Sequence, residues 1–273
     1  MTQHFFENET VKLHYYQFGA GEHKMLCFHG FGMHGKQFKA LEHDLGSKYT
    51  FYGFDLFFHQ LTRLKDQSLQ TIKKGLGKKE LASLVTAFCE QEHIDRFSVI
   101  SYSMGSHYAT AIVEELAPRI NEYIVAAPSS INPGRLVKYF SKNKIGNKIL
   151  EKVALNESTL INVLRLVKRL RLVDDVGRDI LLKEINTPEL RFNLYACFTY
   201  LRFLGTDEPK LIKMLEEYPI KCIFIFGKRD KMYPPKIGNK FFKKFKQAEI
   251  VILEENHEMI NQSFVSALAG LLL

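Results

Sequence analysis

Short apolar runs alternate with stretches of helical spacing along most of this chain, and that alternation limits the folds open to it. Val11–Phe18 alternates as a strand after a turn at Asn8-Glu9, and Met25–His29 is a brief apolar run that stops at glycine. Lys36–Gly46 reads as a helix and Tyr49–Phe54 as an aromatic strand. Lys78–His93 carries Leu81, Leu84, Val85 and Phe88 at helical spacing. Phe97–Tyr102 and Tyr123–Ala127 read as strands on either side of a helix at Met104–Leu116, which Pro118 stops. After a long interruption, Lys221–Phe226 and Glu249–Leu253 read as strands, with helices near Ile237–Phe245 and from His257 to the end. Strands joined through helices require right-handed crossovers. The pattern therefore predicts an α/β fold with a mostly parallel, doubly wound sheet and helices on both faces.

The interruption has its own character. From Ile131 to Tyr218 the spacing is helical and basic, with no clear strand. The expected organisation is a core of residues 1–130 and 218–273, with 131–217 as a helical insertion over the C-terminal edge of the sheet, where open sheets bind ligands. Between Arg135 and Arg171 stand ten basic residues against two acids, which equals the whole net charge of +8. A solvated helical face is the ordinary reading of such a run. A basic surface also attracts anionic substrates or membranes. No nucleic-acid motif accompanies it, so no nucleic-acid partner is expected. On a helix, Val163, Leu166, Val167 and Leu170 share one face and the bases fall on the other. That pattern suits a helix packed on the core, and it also suits peripheral contact with a membrane.

Composition narrows the class. At 273 residues, 46% hydrophobic and 25% charged, the chain is neither disordered, collagen-like nor a coiled coil. It suits one large domain, or one domain carrying an insertion. Cys27, Cys89, Cys197 and Cys222 sit in apolar stretches without a C-x-x-C pair, which predicts buried reduced thiols rather than disulfides or zinc. The N-terminal segment alternates like a strand instead of running apolar as a signal peptide does. No window reaches the roughly 18 apolar residues of a membrane span. A soluble, cytoplasmic protein is expected.

The chemistry concentrates in Phe97-Ser-Val-Ile-Ser-Tyr-Ser-Met-Gly-Ser106, where a strand runs into Ser103 and a helix begins at once. This resembles the G-x-S-x-G nucleophile elbow of the α/β-hydrolase family, in which a serine sits on a strained turn above the sheet. Positions two before and two after must be small because the backbones nearly touch. Gly105 meets that demand, and Ser101 stands where the family has glycine. His29-Gly30-Phe31-Gly32, after the strand, resembles the H-G-x-G loop that supplies an oxyanion-hole amide. By that resemblance the donors are the N–H groups of Phe31 and Met104, and His29 orders the loop.

The family's triad runs serine, acid, histidine along the chain. Asp230 follows the strand ending KCIFIF, and His257 follows EIVIL. The resemblance thus implies a catalytic Ser103–His257–Asp230 triad, a helical cap in the inserted segment, and no metal or organic cofactor. It implies a serine hydrolase that cleaves a carboxylic ester or related acyl bond of a small apolar substrate through an acyl-enzyme. C–C bond hydrolases, thioesterases and non-catalytic ligand binders share the same features. A nucleophilic aspartate, as in dehalogenases and epoxide hydrolases of this fold, is disfavoured because Ser103 holds the position. Asp55 lies where relatives read D-x-P-G-x-G, but Phe57, Phe58 and Gln60 replace the proline and glycines, which puts the shape of that loop in question. Asp55 is expected to be structural, and His107 to pack.

Overall fold

A computed structural model describes residues 1–169 and 185–273. Its strands are β1 (Thr2–Glu7), β2 (Val11–Phe18), β3 (His23–Phe28), β4 (Tyr49–Phe54), β5 (Arg63–Leu64), β6 (Phe97–Tyr102), β7 (Ile120–Ala126), β8 (Lys221–Gly227) and β9 (Glu249–Leu253). They form one sheet in the order β1-β2-β4-β3-β6-β7-β8-β9, with β5 beside β2. β1, β2 and β4 pair antiparallel. From β4 through β3, β6, β7 and β8 to β9 every pairing is parallel. The parallel centre needs cover on both faces, so its strands are largely apolar. Every residue of β4 and β6 is buried. At the β1 edge most residues are exposed, as suits a strand paired on one side.

The helices sort by what they cover. We number them α1 (Glu42–Leu45), α2 (Leu69–Lys74), α3 (Lys78–Gln91), α4 (Gly105–Leu116), α5 (Arg135–Lys142), α6 (Lys144–Leu155), α7 (Glu157–Arg169), α8 (Pro188–Tyr200), α9 (Glu208–Glu217), α10 (Asn239–Lys244) and α11 (Gln262–Leu272). α3 and α9 pack on α4, which lies against β3, β6 and β7. α1 and α11 pack together. Phe264, Val265 and Leu268 of α11 share a buried cluster with Phe38, Leu41 and Leu45 and with strand residues such as Phe51, Ile100 and Ile124. The expected doubly wound α/β sheet is thus present.

Two expected helices are shorter in the structure. Of Lys36–Gly46, only the 3-10 turn Lys39–Leu41 and the single turn α1 are helical. The preceding residues are held out of a helix because Gly35 donates to the Asp55 side chain and its α-carbon closes on Gly53. The last helix starts at Gln262 rather than His257, with Asn261 capping it through Ser263 and Phe264 N–H. β5 and α2 have no counterpart in the sequence reading, since two strand residues and six helical ones are too few to show a period.

The chain divides into two compact units. One holds residues 1–65, 77–132 and 204–273, and the other holds 66–76 and 133–203. The expected boundary at 217 is therefore displaced to 203. The reason is that α9 belongs with α4: Asp207 N–H donates to Glu114 at 2.9 Å and Lys210 pairs with Glu115 at 2.7 Å. Buried Glu114 also pairs with Lys78 of α3. Residues 66–76 join the second unit because Leu76 N–H donates to Tyr200 O at 2.7 Å and Lys73 pairs with Glu151 at 2.9 Å. The second unit is built from α2, α5, α6, α7 and α8 among the described residues. The Val163–Leu172 face falls largely outside what is described: Leu170, Arg171 and Leu172 lie beyond the described residues.

Candidate active site

The sheet order locates the site before any side chain is considered. β3 has β4 on one side and β6 on the other, so the chain direction across the sheet reverses between them. The crevice at the carboxyl ends of such a pair is the ligand site of an open parallel sheet. β3 ends at Phe28, before His29-Gly30-Phe31, and β6 ends at Tyr102, before Ser103.

Ser103 has φ 48, a left-handed conformation that costs a non-glycine residue about 1 kcal/mol or more. Only firm surroundings keep it so. Its N–H donates to Ala126 O at 3.0 Å, and its carbonyl accepts from Ser106 N–H at 3.0 Å. The same carbonyl accepts the hydroxyls of Ser106 at 2.6 Å and Ser129 at 2.8 Å. Ser106 and Ser129 are buried, and they belong to the candidate site as residues that the sequence did not reveal. A serine carries no pattern of its own, and only the fold shows what it holds.

The size rule of the elbow has a direct cause. A Cβ placed on Gly105 would lie 2.1 Å from Phe28 O, so α4 can start against β3 only with glycine there. Ser101 is wholly buried, and its hydroxyl donates to Ile124 O at 3.3 Å, which explains why serine replaces glycine without disruption. Ser103 is 8% exposed.

Asp230 and His257 come from the loops after β8 and β9. Gly227 lets these loops meet, because a Cβ there would lie 2.6 Å from Glu255 O and 2.7 Å from Asn256 O. Lys228 N–H to Leu253 O at 2.8 Å and Arg229 N–H to Glu255 O at 2.9 Å fasten them together. The His257 Nδ1–H then donates to Asp230 Oδ2 at 2.8 Å. Asp230 is 2% exposed, and its Oδ1 accepts from Met232 and Tyr233 N–H at 2.8 and 2.9 Å. Burial raises its pKa, but the His257 hydrogen bond, the backbone donors and the histidine's charge together outweigh that and hold it below the usual carboxylate value. The carboxylate stays ionised and fixes the ring with Nε2 pointing away from it.

Tyr102 joins this pair to the elbow. Its hydroxyl donates to His257 O at 2.5 Å, and its ring centroid is 5.2 Å from that of His257. Tyr233 packs on the histidine at 5.6 Å. Burial and the Asp230 charge push the Tyr233 phenol up to about 12, with the Ser129 hydrogen bond acting the other way. Burial and the same charge raise Tyr102 as well. The imidazole therefore has two neutral aromatic rings as neighbours. The structure thus brings Asp230 and His257 into direct contact and ties the His257 backbone to Tyr102, the residue before Ser103.

The loop bearing Phe31 is in contact with the elbow. A Cβ on Gly30 would lie 3.6 Å from Ser103 Cβ. Met104, the residue after the serine, caps α4 at its N-terminus, where backbone N–H groups lack intrahelical acceptors. Four side chains brace the loop. His29 Nδ1–H donates to Gly30 O at 2.6 Å and its Nε2 accepts Leu56 N–H at 3.0 Å. Gln37 accepts Gly30 N–H at 2.9 Å. His59 Nε2 accepts Gly32 N–H at 3.1 Å, while its Nδ1–H donates to Phe57 O at 2.9 Å. Asp55 accepts Gly35 N–H at 2.8 Å and holds His14 at 2.6 Å, so it is structural. Burial, with the nearby His59, drives the His29 pKa well down, and burial lowers that of His59. Neutral rings are what these bonds require, since each Nε2 must accept.

The loop after β4 settles the question raised by its lost glycines. Phe58 and Gln60 hold φ 64 and 46, the conformation for which relatives use glycine. The turn that presents His59 is thus retained under strain.

No family model matches the sequence, and no curated protein matches it. Solved structures do. MGS-M2, an α/β hydrolase enzyme from a Medee basin deep-sea metagenome library, superposes with a TM-score of 0.72 at 14% identity, covering 98% of this chain and 96% of its own. A thermophilic esterase from Thermogutta terrifontis gives 0.63 at 15% identity over 100% and 98% of the two chains. A candidate epoxide hydrolase from Pseudomonas aeruginosa gives 0.64 at 16% identity over 99% and 95%. The chain has the α/β-hydrolase fold.

Proposed function

We propose that this protein is a serine hydrolase that cleaves a carboxylic ester, or a related acyl bond, of a small apolar substrate. The observation that carries the reading is Ser103 held at φ 48 on the turn between β6 and α4, in a chain whose buried Asp230 hydrogen-bonds His257 after the last two strands. A strained serine at the topological switch point is costly to maintain and has no use in packing.

The steps are those of a Ser103–His257–Asp230 triad. With Nδ1–H committed to Asp230, His257 Nε2 is the free base. It takes the Ser103 proton as Oγ attacks the substrate carbonyl. The imidazolium that forms is stabilised by the ionised, buried Asp230. Negative charge on the carbonyl oxygen falls to the N–H groups of Phe31 and Met104, with the helix N-terminus of α4 adding a favourable dipole. His257 passes the proton to the leaving group, and water then releases the acyl group by the reverse sequence. The chain's own groups supply every step, so no cofactor is invoked. The serine at the nucleophile position favours this chemistry over an aspartyl ester. The reading of the inserted helical unit, residues 133–203, as a cap belongs to the same proposal. So does a cytoplasmic location, which the four buried free cysteines support.

The test is fluorophosphonate labelling, with the modified residue located by mass spectrometry. The expected result is stoichiometric labelling at Ser103 that disappears in His257→Ala. A folded protein that resists labelling would overturn the hydrolase reading and leave ligand binding without turnover.

A further inference from the structure

The surface of the second unit carries an unusual helix. α6 begins at an Asn143 cap, whose side chain accepts the N–H groups of Ile145 and Gly146 at 2.9 and 3.0 Å. At 100° per residue, Lys144, Ile145, Lys148, Ile149, Lys152 and Leu155 fall within an arc of about 140°. All six are exposed. The remainder of the helix faces inward: Gly146 and Ala154 are buried, and Asn147 donates to Phe140 O at 3.2 Å and Thr199 Oγ1 at 2.8 Å. The only acid of α6, Glu151, lies outside the arc and is held by Lys73 at 2.9 Å and by the Tyr195 hydroxyl at 3.4 Å.

A solvated face is mostly polar, with apolar side chains scattered singly. This one is half aliphatic, with Ile145 68%, Ile149 43% and Leu155 40% exposed. The neighbouring α5 adds an exposed Tyr139. We infer that the exposed face of α6 docks on an anionic lipid bilayer, its lysines at the headgroups and its isoleucines at the acyl boundary. Both halves of the face are needed for that partner. Lysines alone would serve any polyanion, but a nucleic acid gains nothing from exposed isoleucine. Apolar side chains alone would suit a neutral protein surface, where three lysines without a paired acid on the same face would be unfavourable. A bilayer containing acidic lipid accepts the two together. The inference is independent of the triad, since no residue of α6 belongs to the candidate active site.

Co-sedimentation of the full-length protein with vesicles tests it. Binding is expected to phosphatidylcholine vesicles carrying about one third phosphatidylserine, and to decline with salt. Each lysine removed should lower the partition coefficient about fivefold, so that Lys144→Glu, Lys148→Glu and Lys152→Glu combined abolish binding. Ile145→Ser with Ile149→Ser should weaken binding while leaving hydrolysis of a soluble ester unchanged. The chain has no tryptophan, so Ile145→Trp is a single fluorescent reporter whose emission should shift to the blue on anionic vesicles. Failure of wild type to sediment at low salt would overturn the inference. Vesicle binding that survives the lysine changes would also overturn it. So would binding that is lost with the lysines but indifferent to the isoleucines, because that is attraction to any polyanion, and a short duplex DNA would then compete equally. None of these outcomes touches Ser103 labelling, so this inference and the hydrolase reading fail separately.

Discussion

Ser103 shows how much a single residue asks of its surroundings. The hydroxyl is useful only while the backbone stays at φ 48, and that conformation depends on three donors to one carbonyl and on the absence of a side chain at Gly105. Ser103→Ala should keep the fold and lower the rate by about 10⁶, measured with a chromogenic ester under single-turnover conditions. Asp230→Asn should cost about 10⁴, because the amide can leave His257 in the wrong tautomer. A Ser103→Ala protein that keeps most of its rate would show that another nucleophile is at work. An undiminished Asp230→Asn rate would show the same for the acid. The short run around Ser103 announced itself in sequence because the small-residue demand falls on adjacent positions. Tyr102 stood in the same run unread, since its bond to His257 spans 155 residues.

Elements end where their local chemistry tells them to, and α3 offers a test. It closes in a Schellman motif: Ile94 N–H donates to Cys89 O at 2.8 Å and His93 N–H to Glu90 O at 3.3 Å. The position after the cap needs a left-handed residue, and His93 holds φ 55 there. Histidine is exposed at this site and has no role in the triad. His93→Gly should therefore stabilise the protein by roughly 1 kcal/mol, a rise of about 2–4 °C in Tm by calorimetry. A lower Tm would mean that the histidine side chain contributes more than the strain costs. The helix itself was plain from its apolar spacing. The shortened helix before β4 was not, because the tie between Gly35 and Asp55 crosses 20 residues and competes with local propensity.

For the molecule as a whole, the loops around the site make stability depend on pH. His29 and His59 are buried as neutral rings, both with pKa values below the ordinary 6.5. Once unfolded they titrate near that value, so in the window beneath it the unfolded chain binds more protons. Stability therefore rises with pH through this window and is lost as pH falls below about 6.5. Asp230 acts lower: its depressed pKa adds stability above the ordinary carboxylate value, lost only as pH falls through the folded one. Tm should fall on acidification from about pH 7 to about pH 5, and His59→Gln should flatten part of that slope. A Tm constant across the range would contradict the account.

Strand positions and the order of the core elements were legible from one-dimensional pattern, and the candidate triad was read from the resemblance of its segments to α/β-hydrolase motifs. Apolar period and the size of neighbouring residues act over a few positions, and the sequence displays both directly. The division into units was not legible at 217, because α9 continues the helical spacing of the segment before it, and it is partners distant in sequence, Glu114 and Glu115 of α4 among them, that tie it to the first unit. Nor were the bracing of the loop bearing Phe31 by His59, the closure of Asp230 on His257 through Gly227, or the mixed face of α6. Each depends on which side of a chain meets solvent or a distant loop, and packing sets that, not the order of residues.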